Sequence, residues 1–303
     1  MLTVRLGVSN RAMTGLHPIR IAGIGGLGAR AGFTRAGSAT AFDAQGQIAT
    51  YPPNIQRPAH APHGGARLGT VIEGEATNLV PYSAATSATW ENFGASSQDL
   101  SVNALGLFPG VRVISHGSVS HRLNSAEISM TGGQAYALRL FLQAGSSPSA
   151  RLIVRAGSST FSMVNGAPGE FATVSDGAGE ISVLAQTVLP DSTIMCDVVF
   201  IPAASDLYTI GIGPNSGVEG EDVILLALQC EAGTAPTSYI PTTDQPVTRM
   251  ADRIAISGVS GVFDVYLRDG DGLETVLDAI EIGDGYRPDI AGSVLAGMLL
   301  IRA

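Results

Sequence analysis

The stretch Thr193-Ile194-Met195-Cys196-Asp197-Val198-Val199-Phe200-Ile201 and its companion Asp222-Val223-Ile224-Leu225-Leu226-Ala227-Leu228-Gln229-Cys230 decide the reading of the fold. Both are short apolar runs that read as core strands. Working outward, the same strand character appears at Thr70 to Ile72, Val111 to Ser115, Ala126 to Met130, Ala135 to Gln143, Arg151 to Ala156, Thr160 to Val164, Glu170 to Val174, Glu180 to Ala185 and Leu207 to Ile212. Turn signals at Thr131-Gly132-Gly133, Asn165-Gly166 and Asp176-Gly177-Ala178-Gly179 separate several of these runs. Spacings of roughly 8 to 12 residues between such turns belong to antiparallel sandwiches.

Composition points the same way. The chain has 303 residues, 45% of them apolar, with 38 Gly and only 14% charged residues. That is ample for a core but poor in the Glu and Lys that long surface helices use. The net charge of −9 argues against a nucleic-acid or anionic-membrane binder, because phosphate contacts need a basic face. All 17 basic residues are Arg. Codon bias in a GC-rich genome accounts for this, and so does selection of guanidinium for planar stacking and bidentate contacts on sugars or acidic polysaccharide. No stretch of about 18 apolar residues runs without Gly or charge, and Met1 to Asn10 has no apolar h-region of about 7 to 15 residues, so neither a spanning helix nor a secretory signal is expected. Cys196 and Cys230 both fall in apolar runs and read as buried free thiols.

Three phrases occur in fixed order along the chain. They are Phe33-Thr34-Arg35-Ala36-Gly37-Ser38-Ala39-Thr40, then Glu73-Gly74-Glu75-Ala76-Thr77-Asn78-Leu79-Val80-Pro81-Tyr82-Ser83, and finally Gln229-Cys230-Glu231-Ala232-Gly233 leading into Thr237-Ser238-Tyr239-Ile240-Pro241-Thr242-Thr243 and Thr248-Arg249-Met250-Ala251-Asp252. Together they resemble a family of bacteriophage and prophage virion proteins, including gene-transfer-agent-like particles. In that family a jelly-roll domain similar to carbohydrate-binding modules and lectins sits in tail fibres, tail spikes or head decorations. The resemblance covers Phe33 to Asp252. Read without it, each phrase joins a β-branched or aromatic run to a punctuating Gly, Pro or Asn, and Pro241 marks an edge strand or an exit strap.

The resulting expectation is an all-β chain: a jelly-roll β-sandwich with an N-terminal extended leader and a small C-terminal β module. Residues 1–32 form a leader or attachment segment whose Gly-rich part has too little side chain for a core of its own. Residues 33–72 form a β-hairpin and a Pro-rich strap, residues 73–252 the carbohydrate-binding-like domain, and residues 253–303 the small module. Gly23-Ile24-Gly25-Gly26-Leu27-Gly28 matches a dinucleotide fingerprint, but no helix can follow it, so it reads as leader. Asp269-Gly270-Asp271-Gly272 reads as a turn, since the position that would complete a calcium loop is Ile280.

Candidate binding residues are few. Trp90 is the only Trp and follows the opening strand, where the resemblance allows either core packing or stacking on a sugar; Tyr82, Tyr136 and Tyr208 are further carbohydrate-binding candidates. Similar modules often hold a structural calcium, which would make Glu75, Asp222 and Glu231 the candidate ligands; no other cofactor is expected. His60 with His63 and His116 with His121 read as loop histidines. No nucleophile elbow or catalytic triad can be named, so no enzyme is expected.

The function implied by the resemblance is adhesion to host surface polysaccharide by an exposed component of a phage or phage-like particle, made in the host cytoplasm. The partners would be that polysaccharide, other virion proteins reached through the leader, and further copies of the chain, with a trimer favoured. A structural connector without sugar binding is the second reading, and a capsule depolymerase the third.

Overall fold

The computed structural model describes residues 18–101, 104–117, 121–157, 160–288, 290 and 294–303. Among them there is no helix; the chain is built from antiparallel strands. The apolar run Ile194–Pro202 lies in a six-stranded back sheet between Gly179–Val188 and Tyr136–Ala144, followed by Glu219–Ala232, Val111–His116 and Ala95–Asp99. A front sheet carries Ala172–Asp176, Thr160–Gly166, Ala150–Ala156, Asp206–Pro214, Arg122–Asn124 and Glu91–Phe93 in that order, with Ile128–Met130 also paired to Asp206–Pro214.

The alternation of side chains along each strand aims one face of each sheet inward. Leu138, Leu140, Cys196, Val198, Phe200, Leu225, Leu228 and Cys230 of the back sheet meet Leu152, Val154, Val164, Tyr208, Ile210 and Ile212 of the front sheet in one buried cluster. This is the all-β sandwich that the turn spacing implied. The sequence missed Glu91–Phe93, Ala95–Asp99 and Arg122–Asn124, which carry polar residues where a half-buried strand would show apolar ones.

A seven-stranded sheet and the pair beside it form a second body, while Ala39–Phe42 with Ile48–Tyr51 and Ala76–Asn78 with Val247–Arg249 make separate two-stranded pairs. Val294–Arg302 pairs on one side with Gly261–Asp269, which continues to Glu274–Ile282, and on the other with Ile19–Gly23 and Gly69–Val71. The register Ile19↔Leu300 puts the described part of the leader inside the sheet of the C-terminal module. Ala31–Thr34 likewise pairs with Arg253–Ile256. Ile21, Ile254, Phe263, Val265, Met298 and Leu300 give this module a core separate from that of the sandwich. The described part of the leader is therefore ordered by pairing with the C-terminal module, and residues 1–17 of the 1–32 segment expected to serve attachment lie outside the described residues.

The fingerprint glycines also find their place. Ile19–Gly23 and Gly26–Leu27 form a hairpin whose tip is Ile24-Gly25, so the motif opens no helix. Asp269 closes the later turn, its Oδ1 accepting from the N–H of Asp271 at 3.0 Å and of Leu273 at 2.8 Å.

Both cysteines are free and buried between the sheets. Burial pushes the Cys196 thiol up to about 12 and raises that of Cys230 as well, with the neighbouring carboxylates Asp197 and Glu231 acting in the same direction. Since the thiolate is the reactive form, a maleimide reagent should label neither residue in the native protein and both after denaturation. Stoichiometric labelling of the folded chain in mass spectra would contradict this placement.

Candidate functional site

The three phrases that carry the resemblance converge on one buried clasp between the sandwich and the terminal module. Asp252 lies at its centre, fully buried. Its Oδ1 accepts from Arg35 Nη1 at 3.0 Å, and its Oδ2 accepts from Arg57 Nη2 and from the Glu73 N–H. Glu73 pairs in turn with Arg57 at 2.9 Å and Arg249 at 3.5 Å and accepts from the Ser238 N–H and hydroxyl. Arg35 spends its other donors on the carbonyls of Gly37, Tyr51, Pro52 and Ile55.

Uncharged residues of the same phrases extend the clasp into the sandwich. Asn78 Nδ2 donates to the Ile240 carbonyl, and Asn78 Oδ1 accepts from Val80 and Cys230. Gln229 holds the strap from Thr237 to Ile240 with both ends of its amide, and Tyr239 shares a hydrogen bond of 2.7 Å with Ser83. Pro241 thus lies in an exit strap fastened by side chains rather than in a ladder. Beneath the strap is a cavity of about 530 Å³, walled by Phe42, Ile48, Phe141 and Met195 with Glu73 and Arg139 at polar positions.

The expected sugar-binding aromatics do not gather into a site. Trp90 is 3% exposed and donates its indole N–H to the Tyr82 carbonyl at 2.9 Å. Tyr136 and Tyr208 are buried in the sandwich core, with their hydroxyls bonded to Thr131 and Gln134 and to Ala204. These three rings are wall material, so stacking on a sugar is closed to them. Tyr82 alone keeps an accessible ring, at 38% exposure, on a backbone held at φ 51°.

The calcium candidates are dispersed as well. Glu75 is exposed, whereas Asp222 pairs with Arg112 and accepts from Ser146, and Glu231 accepts from the N–H and hydroxyl of Thr237. Asp222 and Glu231 are nine residues apart on one strand, roughly 30 Å at the rise of an extended chain, so no single ion can bridge them. Among the described residues no group of three or more His, Cys, Asp or Glu is placed to hold a metal. Burial raises the Glu231 carboxyl, opposed by its two bonds from Thr237 and by Arg249.

A site that sequence reasoning missed lies on the outer face of the front sheet. Cross-strand register places Phe93, Arg122, Gly213, Arg151 and Asn165 in one row across five strands. The next row holds Glu91, Asn124, Gly211, Ile153 and Met163. The glycines are required: a Cβ on Gly211 would meet the Arg122 Cδ and, at 2.7 Å, the Asn124 Oδ1, so their absence lets Arg122 lie across the strand. Its guanidinium stacks 4.0 Å from the Phe93 ring, and Arg155 lies 5.8 Å from that of Phe161. Burial, with Arg155 and Arg151 nearby, lowers the Arg122 pKa to about 10. Phe93, 46% exposed, therefore lies as an accessible aromatic over a layer of buried positive charge. The signal in the sequence was Arg151-x-Ile153-x-Arg155 facing Gly211-x-Gly213, legible only once the strands are in register.

No family model matches the chain, and no curated protein matches it. Among solved structures, the chain is similar to the xylanase 10B of Clostridium thermocellum, described as its N-terminal CBM22-1 and GH10 modules complexed with xylohexaose. The likeness has 16% identity and a TM-score of 0.35, over 55% of this chain and 30% of that one. The chain thus spans under a third of the length of that structure.

The clasp yields a stability prediction. In Asp252→Ala the guanidiniums of Arg35 and Arg57 stay buried without their shared acceptor, which costs about 3–5 kcal/mol. Denaturant unfolding should show a loss of that size; a change under about 1 kcal/mol would mean that the clasp contributes little.

Proposed function

We propose that the chain is a saccharide-binding component of a phage or phage-like particle, and that the outer face of the front sheet is its binding platform. The observation that carries this reading is the exposed Phe93 ring over Arg122, on a broad sheet face lined with planar hydrogen-bonding side chains. A sugar offers an apolar ring face and a rim of hydroxyls. An aromatic ring takes the first, and amide groups such as that of Asn165 donate to and accept from the second. The virion setting rests on the three phrases, and it brings with it an oligomer, trimeric by preference, because avidity has to make up for weak single sites.

A second reading, a connector that binds no sugar, is favoured by the clasp. There the three phrases are consumed in joining sandwich to module, and a rigid joint is what a connector needs. A glycan array probed with the full-length protein separates the two. Saccharide binding that falls roughly tenfold in Phe93→Ala, about 1.4 kcal/mol, supports the platform. An array without signal, or one that Phe93→Ala leaves unchanged, would remove it and leave the connector.

A further inference from the structure

The hairpin made by the fingerprint glycines borders a groove of about 420 Å³ on the outer face of the terminal sheet. Two cross-strand rows build it. Arg20, Leu299 and Tyr266 are in register across three strands, and beside them Gly297, Arg268 and Glu274. Gly23, Gly25 and Gly297 put no side chain into the groove, so backbone and the Leu299 side chain make its floor while Arg20, Tyr266, Arg268 and Glu274 line it. A Cβ on Gly23 would stand 3.6 Å from Arg20 Nη1, which places that guanidinium over the glycine.

Four polar groups line this trough, and none is used by the fold. Among the described residues, Arg20, Arg268 and Glu274 enter no ion pair, and neither they nor the Tyr266 hydroxyl make a side-chain hydrogen bond. Arg268 stands directly opposite Glu274 on the neighbouring strand, yet the two do not close on each other. The two arginines come from strands on either side of Val294–Arg302, roughly 10 Å apart at the usual strand spacing, and guanidiniums on stems of that length reach a common point above Gly297.

We propose that this groove is a second binding site, separate from the front face, for a carboxylate-bearing saccharide. Arg20 and Arg268 take the carboxylate, each with a fork of N–H donors that matches its two oxygens. Tyr266 takes the ring. Glu274, an acceptor only when ionised, serves the hydroxyls, and its negative charge disfavours phosphate esters, which carry more charge than one carboxylate. The partner class is therefore an acidic polysaccharide with uronate residues rather than a nucleotide.

The test uses the full-length chain and three probes: a galacturonate trisaccharide, the matching neutral galactose trisaccharide and inorganic phosphate. Titration calorimetry should show the uronate binding at least tenfold more tightly than the neutral sugar. Arg20→Gln and Arg268→Gln should each weaken it roughly tenfold, with melting temperatures unchanged because both side chains are exposed, while Phe93→Ala leaves it unaltered. Equal binding of the neutral sugar, insensitivity to both Arg variants, or no binding at all would overturn the site. Phosphate competing as well as the uronate would also overturn it, showing a plain anion site. An array that fails at the front face while the uronate still titrates would remove the platform reading alone.

Discussion

The Asp252 carboxylate ties together three parts of the chain that converge beside it. Arg35 reaches it from the leader side, Arg57 from the Pro-rich strap and the Glu73 N–H from the entrance to the sandwich. Around it the clasp collects three guanidiniums, of Arg35, Arg57 and Arg249, against three carboxylates, of Glu73, Asp252 and Glu231. Charge balance of this kind is what makes burial tolerable, since an isolated ion pays several kcal/mol on leaving water. A hydrophobic seam of the same volume would be as stable but would not fix angle and register so tightly. The hydrogen-bond forks of Arg35 and Arg57 specify where the strap and the module sit.

This arrangement changes what the three phrases mean. Motifs of this kind invite a reading as ligand contacts, and Tyr82 and Trp90, at and just beyond the second phrase, are the residues that reading selects. Yet Asn78, Gln229, Tyr239 and Asp252 are all buried and bonded within the chain. Their spacing is set by the geometry of a joint. The exposed Phe93 ring lies elsewhere, on a sheet face outside the phrases.

How far the sequence reaches follows from the kind of signal each feature leaves. Apolar runs such as Ile194–Pro202 and Glu219–Ala232 announce themselves, because a strand buried on both faces needs apolar side chains in succession. Glu91–Phe93 and Arg122–Asn124 do not, since one side of each carries the platform and polar residues break the pattern. The platform itself is spread over five strands that are distant in sequence, and nothing short of the register brings Arg122 next to Gly213 and Arg151. The pairing of leader with tail was equally hidden: Ile19–Gly23 and the central strand Val294–Arg302 find each other through the Ile21 and Leu300 core rather than through any local cue.

That pairing has a consequence for how the molecule is made. Ile19–Gly23 leaves the ribosome long before its hydrogen-bonding partner Val294–Arg302. The sandwich, whose strands are joined mostly by short turns, can form while the chain is still growing, whereas the module cannot close until Val294–Arg302 is out. Its leading strand must stay unpaired for most of that time. The short length and glycine content of the hairpin suit this wait, because an edge with little apolar side chain is a poor template for aggregation. A chain cut short before Val294 would display a folded sandwich beside an unclosed sheet.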